Sequence, residues 1–283
     1  GFTKDMEEVC RDKEILLFAV PSPFVRATAR KAAPFIKAGQ IIVDVAKGIE
    51  PDTLLTMTEV IRDELCKDGS HENVKLVALS GPTHAEEVSK DVPTGCLAAC
   101  ENRELAEFVQ SAFSADTFRV YTSPDAAGAE LGAALKNVIA LCAGITDGLG
   151  FGDNTKAMLM TRGLTEMARL GVAMGGRKET FAGLAGVGDL IVTCTSMHSR
   201  NRRAGILIGQ GKGVEEAMKE VGAVVEGYYA AQSAWELCRK QGVEMPILQA
   251  AYNVLYNDVP AREAFSALLV RPKTTESEDA GWL

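Results

Sequence analysis

Through residue 122 the sequence alternates between short apolar runs and longer stretches with helical spacing. Such alternation predicts an α/β layer in which helices cover a mostly parallel sheet. From Ser123 onward the pattern is helical throughout, so we predict two domains, 1–122 and 123–283. The predicted strands are Ile15–Val20, Ile41–Val45, Val74–Leu79, Thr94–Ala99 and Thr117–Val120. The predicted helices lie near residues 23–37, 52–67, 84–90, 102–114, 124–147, 154–174, 178–184, 189–195, 200–209, 213–220, 226–241, 246–257 and 260–269, followed by a polar tail after Arg271.

One charge, Lys136, stands in the otherwise uncharged apolar stretch 131–146. The helix around it is predicted to start with Ser123 as its N-cap and Pro124 in its first turn. Apolar residues recur there at helical spacing, so Lys136 lies in a core or at its edge. Burial lowers the pKa of a lysine, which suits this side chain to exchange a proton near neutral pH. Two alternatives stay open: the ammonium extends to the surface, or it pairs with a carboxylate such as Asp189.

Composition narrows the classes of function. The formal net charge of −8 argues against nucleic acid or an anionic membrane as the main partner, because both are bound by basic surfaces. The apolar run Ile15–Val25 is short and broken by Pro21 and Pro23, so we expect no membrane span and no export signal. Seven scattered cysteines favour reduced thiols in the cytoplasm. The three histidines lack ligand spacing, and we expect no metal site.

A glycine-rich turn for a dinucleotide pyrophosphate is not found in this sequence. No strand is followed by Gly-x-Gly-x-x-Gly. The nearest patterns, Gly148–Gly152 and Gly209–Gly213, follow no predicted strand and are interpreted as turns between helices. The one Gly-Lys pair, Gly211-Lys212, lacks the rest of a P-loop, which disfavours ATP or GTP chemistry of that type.

Polar residues follow two predicted strands, at the edge where open parallel sheets bind ligands. Lys47 comes two residues after the strand Ile41–Val45, and the turn Ser80–Ala85 follows Val74–Leu79. Free backbone N–H groups in such a turn can face an anion at the start of the next helix. The alternatives are a solvated loop lysine and a simple strand-to-helix connection.

Two further segments in the helical half carry candidate chemistry. Glycines at 183, 186 and 188 precede Asp189, so backbone can approach closely there, although Asp189 would also serve as a helix cap. Ten residues later the segment Ser199–Arg203 places Arg200 and Arg203 on one helical face. Guanidinium groups match the oxygens of phosphate or carboxylate, and a solvated basic turn is the alternative.

Taken in order, these segments resemble the NAD(P)-dependent glycerol-3-phosphate dehydrogenases, most closely the bacterial type. The resemblance covers essentially the whole chain. It rests on Val20-Pro-Ser22, Asp44–Glu50, Ser80–Glu86, Leu135–Val138, Gly186–Leu190, Ser199–Asn201 and Val225–Gly227. It implies a partial Rossmann-like parallel sheet, as an N-terminally truncated dinucleotide-binding domain, followed by an all-α substrate-binding and catalytic domain.

The resemblance also implies roles for matching positions. Lys136 is similar to the family's catalytic lysine, with Lys47 and Asp189 as its substrate-binding and orienting partners. Thr193 joins them because it lies one helical turn after Asp189. The implied substrate positions are Lys47, Gly81, Thr83, Lys136, Asn137, Asp189, Thr193, Ser199, Arg200 and Asn201. The implied positions for a cofactor, NAD or NADP, are Lys47, Ala85, Arg200, Val224 and Glu226.

The family's reaction is the reversible reduction of dihydroxyacetone phosphate to sn-glycerol 3-phosphate, which supplies phospholipid synthesis. Negative charge grows on the ketone oxygen as hydride arrives, and the Lys136 ammonium would supply the proton. The resemblance further implies a cytoplasmic homodimer or other homo-oligomer with a phosphorylated small molecule as its substrate.

The family opens with a strand, a glycine-rich turn and a helix, and we expect a βαβ unit of about 30 residues upstream of this sequence. Whether the chain without that unit is active, and whether it prefers NAD or NADP, stay open. A related β-hydroxyacid dehydrogenase would use a similar buried lysine on a carboxylate substrate. A truncated form without catalysis would act as a phosphate-binding or oligomerisation module.

Overall fold

A five-stranded sheet and a set of helices make up the fold in the computed structural model, which describes residues 1–276. The strands stand in the order β1-β2-β3-β4-β5, and neighbours are parallel except β3 and β4. The predicted α/β class with a mostly parallel sheet followed by helices is therefore confirmed. The strands are β1 Ile15–Phe18, β2 Ile41–Asp44, β3 Lys75–Ser80, β4 Thr94–Ala99 and β5 Phe118–Ser123.

The described residues contain fourteen α-helices. Short 3₁₀ turns lie at Ser22–Phe24 and Ala33–Phe35, and a π-helical turn lies at Leu184–Gly188. The α-helices are α1 Met6–Cys10, α2 Val25–Ala32, α3 Met57–Leu65, α4 Ala85–Val88, α5 Arg103–Phe113, α6 Ala126–Gly148, α7 Asp153–Ala173, α8 Lys178–Phe181, α9 Asp189–Thr195, α10 Arg200–Gly209, α11 Val214–Val221, α12 Glu226–Gln241, α13 Pro246–Tyr256 and α14 Ala261–Leu269.

The start of α6 differs from the prediction. Asp125, not Ser123, is the N-cap, and its side chain accepts a hydrogen bond from the Gly128 backbone N–H at 2.8 Å. The Ser123 hydroxyl oxygen instead accepts from the Asp125 backbone N–H at 3.1 Å, and Pro124 lies before the helix. Both candidates are good capping residues, so the sequence did not decide between them.

Two predicted helices are shorter than expected. The helix predicted near 52–67 begins only at Met57, because Thr56 and Glu59 form a capping box at its start. The helix predicted near 23–37 is regular only over Val25–Ala32, and 3₁₀ turns flank it. The tail after Arg271 is exposed and without helix or strand through residue 276. The rest of that tail, and with it the end of the predicted second domain, lies outside the described residues.

Helices cover both faces of the sheet, as buried parallel strands require. On one face, Leu16, Ile42 and Leu76 pack with α2 and α3. On the other face, Val43 and Val77 pack with α5. Because β1, β2 and β3 are parallel, their carboxyl ends lie at the same edge of the sheet. The polar turns that were predicted to bind ligands lie at this edge.

Helix α6 forms the core of the helical part. It packs against α7, α9, α10 and α12, which surround it. Its length and hydropathy would allow it to cross a membrane, but 94% of its most apolar window is buried inside the structure. Lys136 is carried on this helix and is therefore held in a closely packed interior.

The crossing of α6 and α10 is tight enough to test by mutation. A Cβ at Gly205 would stand 2.0 Å from the Leu141 carbonyl oxygen and 2.9 Å from the Gly144 Cα. Because backbone cannot move aside easily, we expect Gly205→Ala to lower the free energy of unfolding by about 3 kcal/mol. Denaturant unfolding measures this change. Gly152→Ala is the control, because nothing lies within 4 Å of its Cβ position, and we expect a loss below about 1 kcal/mol.

Candidate active site

The ammonium of Lys136 is buried and held by two side chains of α9. Its Nζ donates to Asp189 Oδ1 at 2.7 Å and to Thr193 Oγ1 at 2.7 Å. All three residues are at most 4% exposed. Asp189 and Thr193 lie one helical turn apart on α9, as the sequence predicted. A π-helical turn directly precedes Asp189, which is the first residue of α9. One ammonium hydrogen is left for a further acceptor.

Lys47, which follows β2 at the edge of the sheet, also binds the Asp189 carboxylate. Its Nζ donates to Asp189 Oδ2 at 2.8 Å and to the Gly81 carbonyl oxygen at 2.8 Å. Gly81 has φ +156°, and a Cβ there would stand 2.9 Å from the Cys96 Cα, so this turn favours glycine. The ends of β2 and β3 and the start of α9 are therefore tied together around one carboxylate.

Burial and charge shift the protonation of this group in opposite ways. Burial lowers the pKa of Lys136 to about 8, with Lys47 lowering it further and Asp189 opposing the change. Burial alone would raise the pKa of Asp189, but the ammonium groups of Lys136 and Lys47 outweigh it, so that pKa is lowered. Asp189 thus stays anionic while Lys136 can lose or gain a proton near neutral pH.

The pH dependence of catalysis should follow from the pKa of Lys136. The ammonium form, which the family resemblance expects to donate a proton during reduction, is present below pH about 8 and is lost above it. We expect the reductive kcat/KM, which reports the free enzyme, to fall about tenfold per pH unit above that pKa. The oxidative kcat/KM should rise through the same range, because it needs the free amine. Measuring kcat/KM in both directions from pH 7 to 10 checks this, and a reductive kcat/KM that is flat to pH 10 would contradict it.

A chain of amide hydrogen bonds connects the sheet edge to α12. Asn137 Nδ2 donates to the Lys47 carbonyl oxygen at 3.3 Å, and Asn201 Nδ2 donates to Asn137 Oδ1 at 2.9 Å. Asn201 Oδ1 accepts from the Gly227 backbone N–H at 2.8 Å. Both asparagines are buried, so their side chains fix α6, α10 and α12 relative to Lys47.

Glu226, one of the expected cofactor positions, hydrogen-bonds the turn after β1. Glu226 Oε1 accepts from the Ser22 backbone N–H at 3.0 Å, and Glu226 Oε2 accepts from the Ser22 hydroxyl at 2.5 Å. Burial raises the pKa of Glu226, while Ser22 and the nearby charge of Arg200 oppose that rise. Ala85 is exposed and Val224 is half-buried.

The remaining substrate positions differ in exposure. The Thr83 hydroxyl donates to the Gly81 carbonyl oxygen at 3.2 Å. Ser199 is buried as the N-cap of α10 and accepts from the Arg202 backbone N–H. Arg200 and Arg203 are both exposed on α10.

The third arginine of this cluster has a structural contact instead. Arg202 Nη2 lies 2.8 Å from Asp147 Oδ2, and its Nη1 donates to the Thr195 carbonyl oxygen at 2.7 Å. Asp147 also pairs with Lys156 at 2.7 Å. Arg202 therefore joins the ends of α6, α9 and α10 and is not directed toward Lys136.

Two residues near the site were not among the predicted site positions. Ser22 was recognised only as part of a motif, and its partner Glu226 lies 204 residues further along the chain. His84 lies in the turn Ser80–Ala85, which the sequence analysis singled out, but the sequence does not predict what a histidine in a turn contacts. Asp189 was also weighed as a simple helix cap, and the structure instead directs its carboxylate to the two lysines.

The residues at this edge of the sheet fit a bound nucleotide. The turns after β1, β2 and β3 carry Ser22, Lys47 and Gly81 at one edge of a parallel sheet, and α9 and α12 close that edge. Nucleotides bind at this edge in open parallel sheets. The 283-residue sequence contains no Gly-x-Gly-x-x-Gly pattern.

Metal and disulfide chemistry find no support in the part of the chain that the structure describes. No group of three or more His, Cys, Asp or Glu side chains among residues 1–276 could hold a metal ion. The seven cysteines are free thiols, and burial raises the pKa of several of them, including Cys142 and Cys194.

Comparison with known proteins finds one family for both halves of the chain. Residues 1–106 match the family described as NAD-dependent glycerol-3-phosphate dehydrogenase N-terminus, and residues 125–266 match the corresponding C-terminus. The chain is 60% identical over 275 residues to glycerol-3-phosphate dehydrogenase [NAD(P)+] 2 of Lactobacillus delbrueckii subsp. bulgaricus, an alignment that covers 97% of this chain and 82% of that protein. It is 54% identical to glycerol-3-phosphate dehydrogenase [NAD(P)+] of Fusobacterium nucleatum, with 97% and 81% coverage.

Solved structures agree with this assignment. The fold is similar to glycerol-3-phosphate dehydrogenase from Coxiella burnetii, with a TM-score of 0.88, 36% identity, and coverage of 94% of this chain and 80% of that one. It is also similar to the Saccharomyces cerevisiae enzyme, with a TM-score of 0.79, 26% identity, and 93% and 78% coverage. The chain belongs to the NAD-dependent glycerol-3-phosphate dehydrogenase family.

Proposed function

We propose that this protein interconverts dihydroxyacetone phosphate and sn-glycerol 3-phosphate with NAD or NADP. The observation that supports this most directly is Lys136, a buried ammonium with one unused hydrogen and a pKa lowered to about 8 by burial. A proton donor of that kind suits a ketone oxygen that gains negative charge during reduction. The bound cofactor supplies or accepts the hydride.

The catalytic assignment follows from the contacts of Lys136. Lys136 gives its proton to the C2 oxygen in reduction and takes it back in oxidation. Asp189 and Thr193 hold the Nζ atom in place, so the amine does not have to reorganise during the reaction. Lys47 adds positive charge beside the same carboxylate and helps to stabilise the developing oxyanion.

Substrate orientation is assigned to the other end of the cleft. The exposed Arg200 guanidinium can bind two phosphate oxygens, and Ser199 and Asn201 beside it fix the direction of the start of α10. Gly81, Thr83 and Asn137 line the substrate side. Phosphate binding remote from the reacting carbon positions that carbon against Lys136.

The cofactor is assigned to the sheet edge. We place the nicotinamide end near Lys47, Ala85, Arg200, Val224 and Glu226. The Ser22–Glu226 hydrogen bonds support this placement, because they draw α12 onto the turn after β1. In this proposal residues 1–122 and 123–283 form the two domains that bound the cleft.

The biological setting is proposed from the family resemblance. The product would supply glycerol 3-phosphate for phospholipid synthesis. Free cysteines throughout the chain suit the reducing cytoplasm. A homodimer is the proposed assembly, and sedimentation analysis of the purified protein tests it directly.

Substrate comparison separates this function from its alternatives. We expect turnover of dihydroxyacetone phosphate to exceed that of dihydroxyacetone by at least about a hundredfold in kcat/KM, because the charged phosphate contacts are lost in the second substrate. Oxidation of NADH and NADPH, followed by absorbance, measures both. Preference for an unphosphorylated 3-oxo acid would indicate a β-hydroxyacid dehydrogenase. Binding of glycerol 3-phosphate without any turnover would indicate a phosphate-binding module.

A further inference from the structure

Helix α6 carries a second buried charged side chain, Glu130, six residues before Lys136. Glu130 Oε1 accepts a hydrogen bond from the Thr58 backbone N–H at 2.8 Å. Its Oε2 accepts from the Thr58 hydroxyl at 2.5 Å and from the Thr56 hydroxyl at 3.0 Å. Thr56 is the N-cap of α3, and Thr58 lies in the first turn of that helix. The carboxylate therefore attaches the start of α3 to the helix that carries Lys136.

The contact with Thr56 extends across a short closed loop to the turn that carries Lys47. Thr56 and Ile49 face each other in an isolated antiparallel bridge. Next to this bridge the Glu50 backbone N–H donates to the Leu55 carbonyl oxygen at 2.9 Å. Ile49 follows Lys47 by two residues. The position of Thr56 is therefore transmitted through backbone pairing to the immediate neighbours of Lys47.

The start of the same segment is also attached to the helical part of the protein. Asn137 Nδ2 donates to the Lys47 carbonyl oxygen at 3.3 Å, and the buried Ser233 hydroxyl donates to the Ile49 carbonyl oxygen at 3.1 Å. Ile49 is 2% exposed and packs in the core around α6. Glu130 and Asn137 lie seven residues apart, about two turns of helix, and so share a face of α6. The segment that begins at Lys47 is thus attached to α6 at both of its ends.

We infer that Glu130 is a positioning residue, which holds the segment from Lys47 to Thr58 against α6 and so keeps the Lys47 ammonium beside Asp189. The inference rests on the proposed function, in which Lys47 and Lys136 act on the same substrate. Lys47 Nζ reaches Asp189 Oδ2 at 2.8 Å, so a shift of the segment by about 1 Å would break this hydrogen bond. Misplacement of that size can cost up to about a hundredfold in rate.

Two substitutions separate the position of the segment from the charge of the side chain. Glu130→Ala removes all three hydrogen bonds. Glu130→Gln keeps their geometry, because its amide oxygen accepts from the Thr58 N–H and its amide nitrogen can donate to the threonine hydroxyl oxygens. We expect Glu130→Ala to lower kcat/KM for dihydroxyacetone phosphate by between about tenfold and a hundredfold. Glu130→Gln should stay within about threefold of the unmodified protein.

The pH profile distinguishes a loss of position from a loss of stability. The titratable groups around Lys136 are one carboxylate, one thiol, one ammonium and one imidazole: Asp189, Cys194, Lys47 and His84. The Lys47 ammonium lowers the pKa of Lys136, so that pKa rises when this ammonium moves away. We expect the midpoint of the reductive kcat/KM profile to move up by about half a pH unit or more in Glu130→Ala. Removal of the Glu130 charge by itself would move the midpoint down, so the direction identifies the cause.

Hydrogen exchange gives a second readout, which needs no turnover. In Glu130→Ala the backbone amides of residues 48–55 should exchange at least about tenfold faster than in the unmodified protein, while those of α6 and α12 stay protected. In Glu130→Gln the exchange of residues 48–55 should not change. If Glu130→Ala does not fold, Thr58→Val is the milder variant, because it removes only one of the three hydrogen bonds. We expect Thr58→Val to change exchange and midpoint in the same direction by smaller amounts.

Glu166→Ala is the matched control. Glu166 is also buried, and its carboxylate accepts hydrogen bonds from the backbone N–H groups of Ile247 and Leu248 at the start of α13. The substitution removes the same kind of contact, but α13 carries none of the proposed site residues. We expect a loss in melting temperature similar to that of Glu130→Ala, with an unchanged pH midpoint and unchanged exchange of residues 48–55.

Three outcomes would overturn the inference about Glu130. They are unchanged exchange of residues 48–55 in folded Glu130→Ala, a loss of kcat/KM in Glu130→Gln as large as in Glu130→Ala, and an equal midpoint shift in Glu166→Ala. If the unmodified protein turns over no substrate, the proposed function fails instead. The exchange comparison still decides whether Glu130 holds the segment, so the two failures are distinguishable.

Discussion

Lys136→Ala should reduce kcat for dihydroxyacetone phosphate by roughly a thousandfold or more, with the fold intact. In the proposed mechanism the buried ammonium is the proton donor, and its removal leaves Asp189 still paired with Lys47 at 2.8 Å. The fold is retained because no buried charge is left without a partner. Steady-state kinetics and thermal unfolding of the variant, side by side, measure the two effects.

Lys136→Arg separates proton transfer from charge alone. Arginine keeps a positive charge near Asp189, but its pKa is too high for it to release a proton. We expect this variant to be nearly as slow as Lys136→Ala. Activity close to that of the unmodified protein would show that the residue acts only through its charge, and the acid–base assignment would then be wrong.

Asp189→Asn should produce the second large effect. Its carboxylate accepts hydrogen bonds from Lys136 at 2.7 Å and from Lys47 at 2.8 Å. The substitution therefore leaves the buried Lys136 ammonium and the partly buried Lys47 ammonium without the negative charge that they share. The pKa of Lys136, already lowered to about 8 by burial, then falls further, and less ammonium is present at neutral pH. We expect kcat to fall by at least about a hundredfold and the free energy of unfolding to fall by about 3 kcal/mol.

Asp147→Asn is the matched control for this experiment. Asp147 also bridges two cations, Lys156 at 2.7 Å and Arg202 at 2.8 Å, but it does so at the end of α6 and away from Lys136. We expect a stability loss of about 1 kcal/mol and a reductive pH profile that keeps its midpoint. If Asp147→Asn moved that midpoint as far as Asp189→Asn does, the special role of the Asp189 carboxylate would be disproved.

The alternation of strands and helices was readable from the sequence because buried strands and amphipathic helices leave distinct periods. The direction of each strand could not be predicted from the sequence. The run Thr94–Ala99 is as apolar as the parallel strands, yet β4 runs antiparallel to β3. Strand direction depends on the path of the connecting chain, which periodicity does not record. The choice between Ser123 and Asp125 as N-cap was likewise decided by tertiary contacts, since Asp125 also accepts hydrogen bonds from the start of α8.

The candidate site was predictable in part. Lys136 stood out because a lone charge in an apolar helix needs a partner or a function, and the structure gives it a carboxylate partner in Asp189. The contact between Ser22 and Glu226 was not predictable, because only the tertiary fold joins two residues so far apart in the chain. The ion pair between Arg202 and Asp147 could not be predicted either, because the sequence does not distinguish one neighbouring arginine from another.

The most direct test of the central claim is to follow the hydride. The protein is incubated with dihydroxyacetone phosphate and NADH or NADPH that carries two deuterium atoms at C4 of the nicotinamide, so that the transferred hydride is labelled whichever face reacts. It is used both alone and preceded by the glycine-rich strand, turn and helix of a relative, and the products are examined by NMR. The account predicts sn-glycerol 3-phosphate with deuterium at C2, formed in at least one of these forms and lost in Lys136→Ala. Folded protein that gives no such product in either form would contradict the account.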